Sequence, residues 1–165
     1  MKPEAIVYSS NTGFSKRYAE MFGKKTGLPV YGIDEAKTAI EKKTPVVYFG
    51  WLMAGTVADY RKAAKFFDIK ALCGVCLGTT GSQIGSVRKS CKLPEDFPVF
   101  TVQGGMDHQK LGGGYGFGIK MLTKFMQKKK NRTPDEEAML ALLVSGGDFV
   151  SEENLEKVMG WYENA

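Results

Sequence analysis

Ala5-Ile6-Val7-Tyr8-Ser9-Ser10-Asn11-Thr12-Gly13-Phe14-Ser15 is an apolar run that ends abruptly in hydroxyl, amide and glycine residues. Ala5 to Ser9 carries no charge, which suits a strand buried on both faces. From Phe14 the period changes. Phe14, Tyr18, Met21 and Phe22 fall at i, i+4, i+7 and i+8 and predict an amphipathic helix. A strand that hands over to a helix through Ser10–Ser15 has a chemical consequence. The first N–H groups of a helix lack backbone acceptors and carry partial positive charge. Hydroxyls on Ser10, Thr12 and Ser15 add donors, and Gly13 lets a ligand approach the backbone. The loop is therefore a candidate phosphate cradle built from neutral donors, with Lys16 and Arg17 only following it. An ordinary Ser/Asn helix cap is the plainer alternative.

Outward from this stretch, apolar runs alternate with helical patterns. Pro29–Ile33, Pro45–Gly50, Ala71–Gly78 and Pro98–Gln103 read as four further strands. Helices are expected over about 57–67 and, more weakly, Ser82–Cys91, with Asp34 capping a short helix after the second strand. Gly104–Gly118 holds seven glycines and reads as a long loop or insertion. A helix over about 117–130 follows, with Met121, Leu122, Phe125 and Met126 on one face. Thr133-Pro134-Asp135-Glu136 is a capping box with proline in the first turn, Gly146-Gly147 stops that helix, and Ser151 starts another. Strand–helix alternation with right-handed crossovers predicts one α/β domain over 1–165, a parallel sheet covered on both faces.

With 165 residues, 43% hydrophobic and 25% charged, the chain can bury a core without staples. Three cysteines make no disulfide framework and suit a reducing compartment. No window reaches the ~20 apolar residues of a membrane span, and no signal-peptide core is present. A cytoplasmic location is expected. Cys73 and Cys76 sit three apart in a predicted strand, so their side chains point to opposite faces and a dithiol or metal pair is not expected.

The run Ser-x-Thr-Gly-x-Ser at the end of the first strand resembles the FMN-phosphate loop of flavodoxins, Thr/Ser-x-Thr-Gly-x-Thr/Ser, at all four diagnostic positions. The resemblance implies a flavodoxin-like, doubly wound, five-stranded parallel sheet of order 2-1-3-4-5, here with extra C-terminal helices. It implies FMN as cofactor, its phosphate held by Ser10, Asn11, Thr12, Gly13, Phe14 and Ser15. The loop after the third strand, with Trp51, Leu52, Met53, Ala54 and Gly55, would lie against the flavin ring, and the Gly55 peptide would reorient when flavin N5 gains a proton. Thr79, Thr80 and Gly81 after the fourth strand would serve the pyrimidine edge, although the tyrosine that commonly stacks there is missing. Gly104–His108 would line the flavin's outer edge or an electron-donor pocket, with His108 as a proton exchanger or simply a solvated loop histidine. Walker, dinucleotide and phosphatase loops do not match: no Gly-x-x-x-x-Gly-Lys occurs, Gly112–Gly118 completes no Gly-x-Gly-x-x-Gly, and the first loop has no cysteine. No side chain is assigned a catalytic role.

Two uses of a flavin compete. One is an electron carrier between redox partner proteins. Carriers of that kind usually have acidic surfaces, whereas this chain carries a net charge of +5. The other is an FMN-dependent oxidoreductase with a small-molecule acceptor such as a quinone. Gly104-Gly105, Asp107, Lys110-Leu111, the helix Lys120–Lys130 and Asp148-Phe149-Val150 resemble flavodoxin-domain proteins of the menaquinone-dependent protoporphyrinogen dehydrogenase type, which implies that activity. Nucleic acid is not an expected partner, since basic residues cluster with aromatics only in the segment 117–132. That segment, with Lys120, Lys124, Lys128, Lys129, Lys130 and Arg132 beside Met121, Phe125 and Met126, reads as a docked helix with a solvated lysine face. A peripheral membrane contact is the alternative.

Overall fold

The computed structural model describes residues 1–165, the side chain of Tyr115 excepted. The chain runs β1 (Ala5–Ser9), α1 (Phe14–Thr26), β2 (Val30–Gly32), α2 (Ile33–Ala39), β3 (Pro45–Met53), β4 (Thr56–Val57), α3 (Tyr60–Phe66) and β5 (Asp68–Cys76). It continues through α4 (Ile84–Cys91), β6 (Val99–Gln103), β7 (Gly105–Met106), α5 (Gly113–Lys128), α6 (Pro134–Ser145), β8 (Gly147–Asp148) and α7 (Glu156–Glu163). Five parallel strands pair in the order β2-β1-β3-β5-β6. With the two-residue β4 set aside, this is the doubly wound order expected from the sequence.

Period-two side chains sort the strands between two cores. Val7, Val46, Tyr48, Leu72 and Val99 face α2, α3 and α4, where Ala36, Ala63 and Val87 are also buried. Ile6, Val47, Phe49, Cys73 and Val102 face α1 and α7, against Tyr18, Phe22, Leu155 and Val158. The Phe22 ring lies 5.6 Å from both Phe49 and Tyr162, so one α1 side chain joins the sheet to the last helix. Tyr18 ties the sheet to the turn before that helix by hydrogen bonds. Its hydroxyl donates to the Gln103 carbonyl and accepts from Asn154 Nδ2 at 2.7 Å.

β5 begins at Asp68 rather than Ala71, and β7 falls within the expected long loop; the structure departs from the sequence reading in four further places. β3 continues past Gly50 to Met53 because the chain folds straight back: Leu52 pairs with Val57 and Met53 with Thr56. Ala54 (φ 49) and Gly55 (φ 76) make that two-residue turn, whose twist matches the strands it joins. α2 is preceded by Gly32 rather than capped by Asp34, which lies in the first turn beside Lys37 at 2.6 Å. α7 begins at Glu156, after a short 3-10 turn over Glu153–Leu155.

The fourth departure is the largest. α5 starts at Gly113, not near Phe117, although four glycines enter its first turns at up to about 1 kcal/mol each relative to alanine. Tertiary packing outweighs that cost. Met106, Ile119, Met126, Leu142 and Leu143 are buried together, with Leu77, Leu111, Leu122 and Met139 against them. α5 and α6 thus form a third apolar cluster, separate from the two sheet cores. Thr133 caps α6 by a complete capping box, and Arg132 Nε meets Glu137 at 2.7 Å. No described helix is long and apolar enough to cross a membrane.

Burial raises the Tyr18 and Tyr48 phenols and the Cys73 thiol, and pushes Cys76 up to about 11. These groups stay protonated in the fold when the unfolded chain has begun to lose protons. Their contribution to stability is therefore full below about pH 8.5, where unfolded thiols start to ionise, and is lost as pH rises through the folded values. Urea midpoints are expected to be flat from about pH 6 to 8 and to fall steeply above about pH 9, each ionised group taking about 1.4 kcal/mol per pH unit.

Candidate functional site

At the start of α1 the backbone supplies donors that the fold does not use. The first bond of the helix runs from Arg17 N–H to the Gly13 carbonyl. The N–H groups of Phe14, Ser15 and Lys16 precede it and have no intrahelical partner. Those of Asn11 and Thr12 have no acceptor among the described residues. One amide of the loop is engaged: Gly13 N–H donates to Ser10 Oγ at 3.0 Å, which leaves the Ser10 hydroxyl hydrogen free to point elsewhere. Gly13 has φ +97, and the space where a Cβ would stand is open. A glycine is required by that φ, and its bare face leaves room for an anion.

The loop opens into a cleft at the carboxyl ends of the strands, between β1 and β3, where the strand order reverses. Ser10, Asn11, Thr12, Phe14 and Ser15 line one end of it. Trp51, Leu52, Met53 and Ala54 form a second wall, and Val75, Cys76 and Leu77 a third. Gly105 and Met106 lie beneath, and Ile119, Leu122 and Met139 of α5 and α6 roof it. No lining side chain among those described carries a formal charge.

Two buried side-chain atoms have no hydrogen-bond partner among the described residues, Ser15 Oγ and Gln83 Nε2. Both belong to residues of this cleft. Ser15 is only 1% exposed. A buried hydroxyl or amide without a partner costs about 1–3 kcal/mol, so two at one cleft mark a place where the fold leaves polar capacity for something else. Gln83 also has φ 63, an uncommon conformation for a non-glycine residue and one that clusters at functional sites.

The structure brings together nine of the residues singled out from the sequence along the cleft, five from the first loop and Trp51, Leu52, Met53 and Ala54 from the β3–β4 hairpin, with Gly13 among the loop residues at the start of α1. It does not bring Gly55, Thr79, Thr80 and Gly81 to the cleft wall. Gly55 packs toward α4, its carbonyl accepting from the Ser90 hydroxyl. Thr79 gives its N–H (2.7 Å) and hydroxyl (3.0 Å) to Asp135 of α6. The Thr80 hydroxyl donates to Asn154 Oδ1 at 2.6 Å, and Gly81 N–H donates to the Thr101 carbonyl at 3.0 Å. Donors of that loop are spent on holding α6 and the sheet edge in place. Cys76, Leu77 and Gln83 line the cleft instead. Nothing in the sequence marks Gln83 apart from other polar residues before a helix; only its burial and backbone angle do. His108 is not on the wall; it lies in the neighbouring grooves beside α5 and β8.

The enclosed part of the cleft measures about 80 Å3. Sites for drug-sized molecules run from about 300 to 1,000 Å3. A ligand of that size would therefore need the hairpin at Trp51–Ala54 or the α5–α6 roof to swing outward, whereas the Ser10–Ser15 loop presents its free amides as it stands. No protein-family model and no curated protein matches this chain.

Ser15→Ala removes an orphaned hydroxyl from the first turn of a helix. The ligand-free variant is expected to be as stable as the parent or up to about 1 kcal/mol more stable, read from urea unfolding. A loss of more than about 1 kcal/mol would show that the hydroxyl already has a partner.

Proposed function

We propose that this chain is an FMN-binding redox protein. The flavin phosphate is held at Ser10–Ser15, and the ring lies between the Trp51–Ala54 hairpin and the α5–α6 roof. The observation that carries most weight is the convergence of unengaged amides and the buried, partnerless Ser15 hydroxyl at the N-terminus of α1. A dianion there would be met by the helix dipole and by hydrogen bonds rather than by a lysine or arginine. The walls suit a flat apolar ring at the other end: Trp51 and Met53 offer flat and polarizable surfaces. Gln83 Nε2 would donate to an acceptor atom on the ring's edge.

FMN supplies one- and two-electron transfer when bound. The chain's own residues bind the phosphate, exclude water from the ring and limit what reaches it. Ile119, Leu122 and Met139 cover the cleft with apolar side chains. That roof, with the net charge of +5, favours the second use of a flavin over a carrier docking with proteins: an oxidoreductase exchanging electrons with a small apolar molecule, a quinone being the simplest.

Calorimetric titration tests the cofactor. FMN is expected to bind at one per chain, and riboflavin, which lacks the phosphate, at least about a hundredfold more weakly. Ser15→Ala is expected to weaken FMN about tenfold and leave riboflavin unchanged. Equal affinities for FMN and riboflavin would remove the phosphate site. Turnover of a soluble quinone by the flavin-loaded protein alone would then support the oxidoreductase over the carrier, and its absence the reverse.

A further inference from the structure

α5 divides its side chains sharply. Ile119 and Met126 are buried, and Leu122 packs with them against α6. Phe117, Met121 and Phe125, one turn apart along the opposite side, are 68%, 53% and 68% exposed. The sequence alone grouped Met126 with the outward residues; the helical period turns it inward, and Phe117 takes its place. Large apolar side chains in a row on a water-facing surface are unusual and mark a contact surface.

The charges beside that row have one sign. Lys120, Lys124 and Lys128 lie on the same exposed side, and α5 contains no Asp or Glu. None of these three, nor Lys130, forms an ion pair among the described residues; the acidic residues nearby are taken by Lys129 and Arg132. A groove of about 890 Å3 runs alongside, floored by Leu143 and Val144 and edged by Lys120 and Lys124. An apolar row interleaved with unpaired lysines is the pattern of a helix lying in the headgroup region of an anionic bilayer. A symmetric contact with a second copy fits less well, because a two-fold interface would set these lysines against themselves.

We propose that the outer face of α5 is a docking surface for anionic lipid membranes, with Phe117, Met121 and Phe125 entering the interface and Lys120, Lys124 and Lys128 meeting acidic headgroups. The surface stands on α5 alone and does not depend on what the cleft holds. If the cleft holds a flavin, the helix that touches lipid on one side roofs the redox site on the other through Ile119 and Leu122. A membrane-dissolved acceptor would then arrive within one helix diameter of it.

Co-sedimentation of the full chain with vesicles of phosphatidylglycerol and phosphatidylcholine, against pure phosphatidylcholine, tests this. Binding is expected to the anionic vesicles only, and to fall at least about tenfold in 0.5 M salt. K120E/K124E/K128E and, separately, F117S/M121S/F125S are each expected to lower partitioning at least about tenfold. Circular dichroism keeps the test open by showing whether each variant folds. Because the lysines are solvated, single charge reversals at Lys120 and Lys124 give a folded second test. No binding at low salt overturns the proposal, as does binding that either set of substitutions leaves unchanged. A parent that is dimeric by light scattering, and that F117S/M121S/F125S makes monomeric, also overturns it by assigning the face to a second copy. Flavin content, measured on the same samples, reports separately on the cleft.

Discussion

A helix cannot satisfy its own first amides, and in this chain the opening helix leaves them at the switch point of a parallel sheet. That constraint organises much of what surrounds it. The loop after β1 needs a glycine at position 13, since any side chain there would be strained at φ +97. Ser9 turns its hydroxyl to Asp59 at 2.7 Å, tying the strand end to the start of α3. Further along α1, Tyr18 and Phe22 anchor the same helix to β6, α7 and the sheet. The amides are therefore presented by a helix fixed on a rigid support, so neutral donors there would need no reorganisation to meet an anion.

The second theme is the α5–α6 unit. It builds a small core of its own, into which Met106 of β7 and Leu77 after β5 also pack, and it reaches the sheet through polar and backbone contacts as well. Asp135 takes the amide and hydroxyl of Thr79, and β8, just after α6, pairs with β7. Arg17 of α1 meets Asp148 of β8 at 2.6 Å, so α1 and the end of this unit are joined at the surface. Exposed pairs of this kind are weak, on the order of 1 kcal/mol or less.

The sheet was legible because its strands are short apolar runs without alternation, and because Pro29, Pro45 and Pro98 mark where they begin. The first loop was legible for a different reason: hydroxyls and a glycine at a strand–helix junction have few uses. The β3–β4 hairpin was hidden, since Leu52-Met53 and Thr56-Val57 are too short to show a period and Ala54 gives no turn signal. Four glycines at the start of α5 argued against helix, and only the long-range burial of Ile119 and Met126 decides otherwise. The second loop misled because its threonines are as apt for a ligand as for the side chains that claim them; Asp135 and Asn154 lie more than fifty residues away. Gln83 was beyond reach for the same reason: its burial comes from contacts that no local pattern encodes.

Amide chemical shifts of the isotopically labelled protein, followed by NMR as FMN is added, address the central claim most directly. The account predicts that the N–H resonances of Asn11, Thr12, Phe14 and Ser15 move downfield together, saturate at one FMN per chain, and stay in place with riboflavin. Resonances there that do not move while others respond, or that move equally with riboflavin, would contradict it.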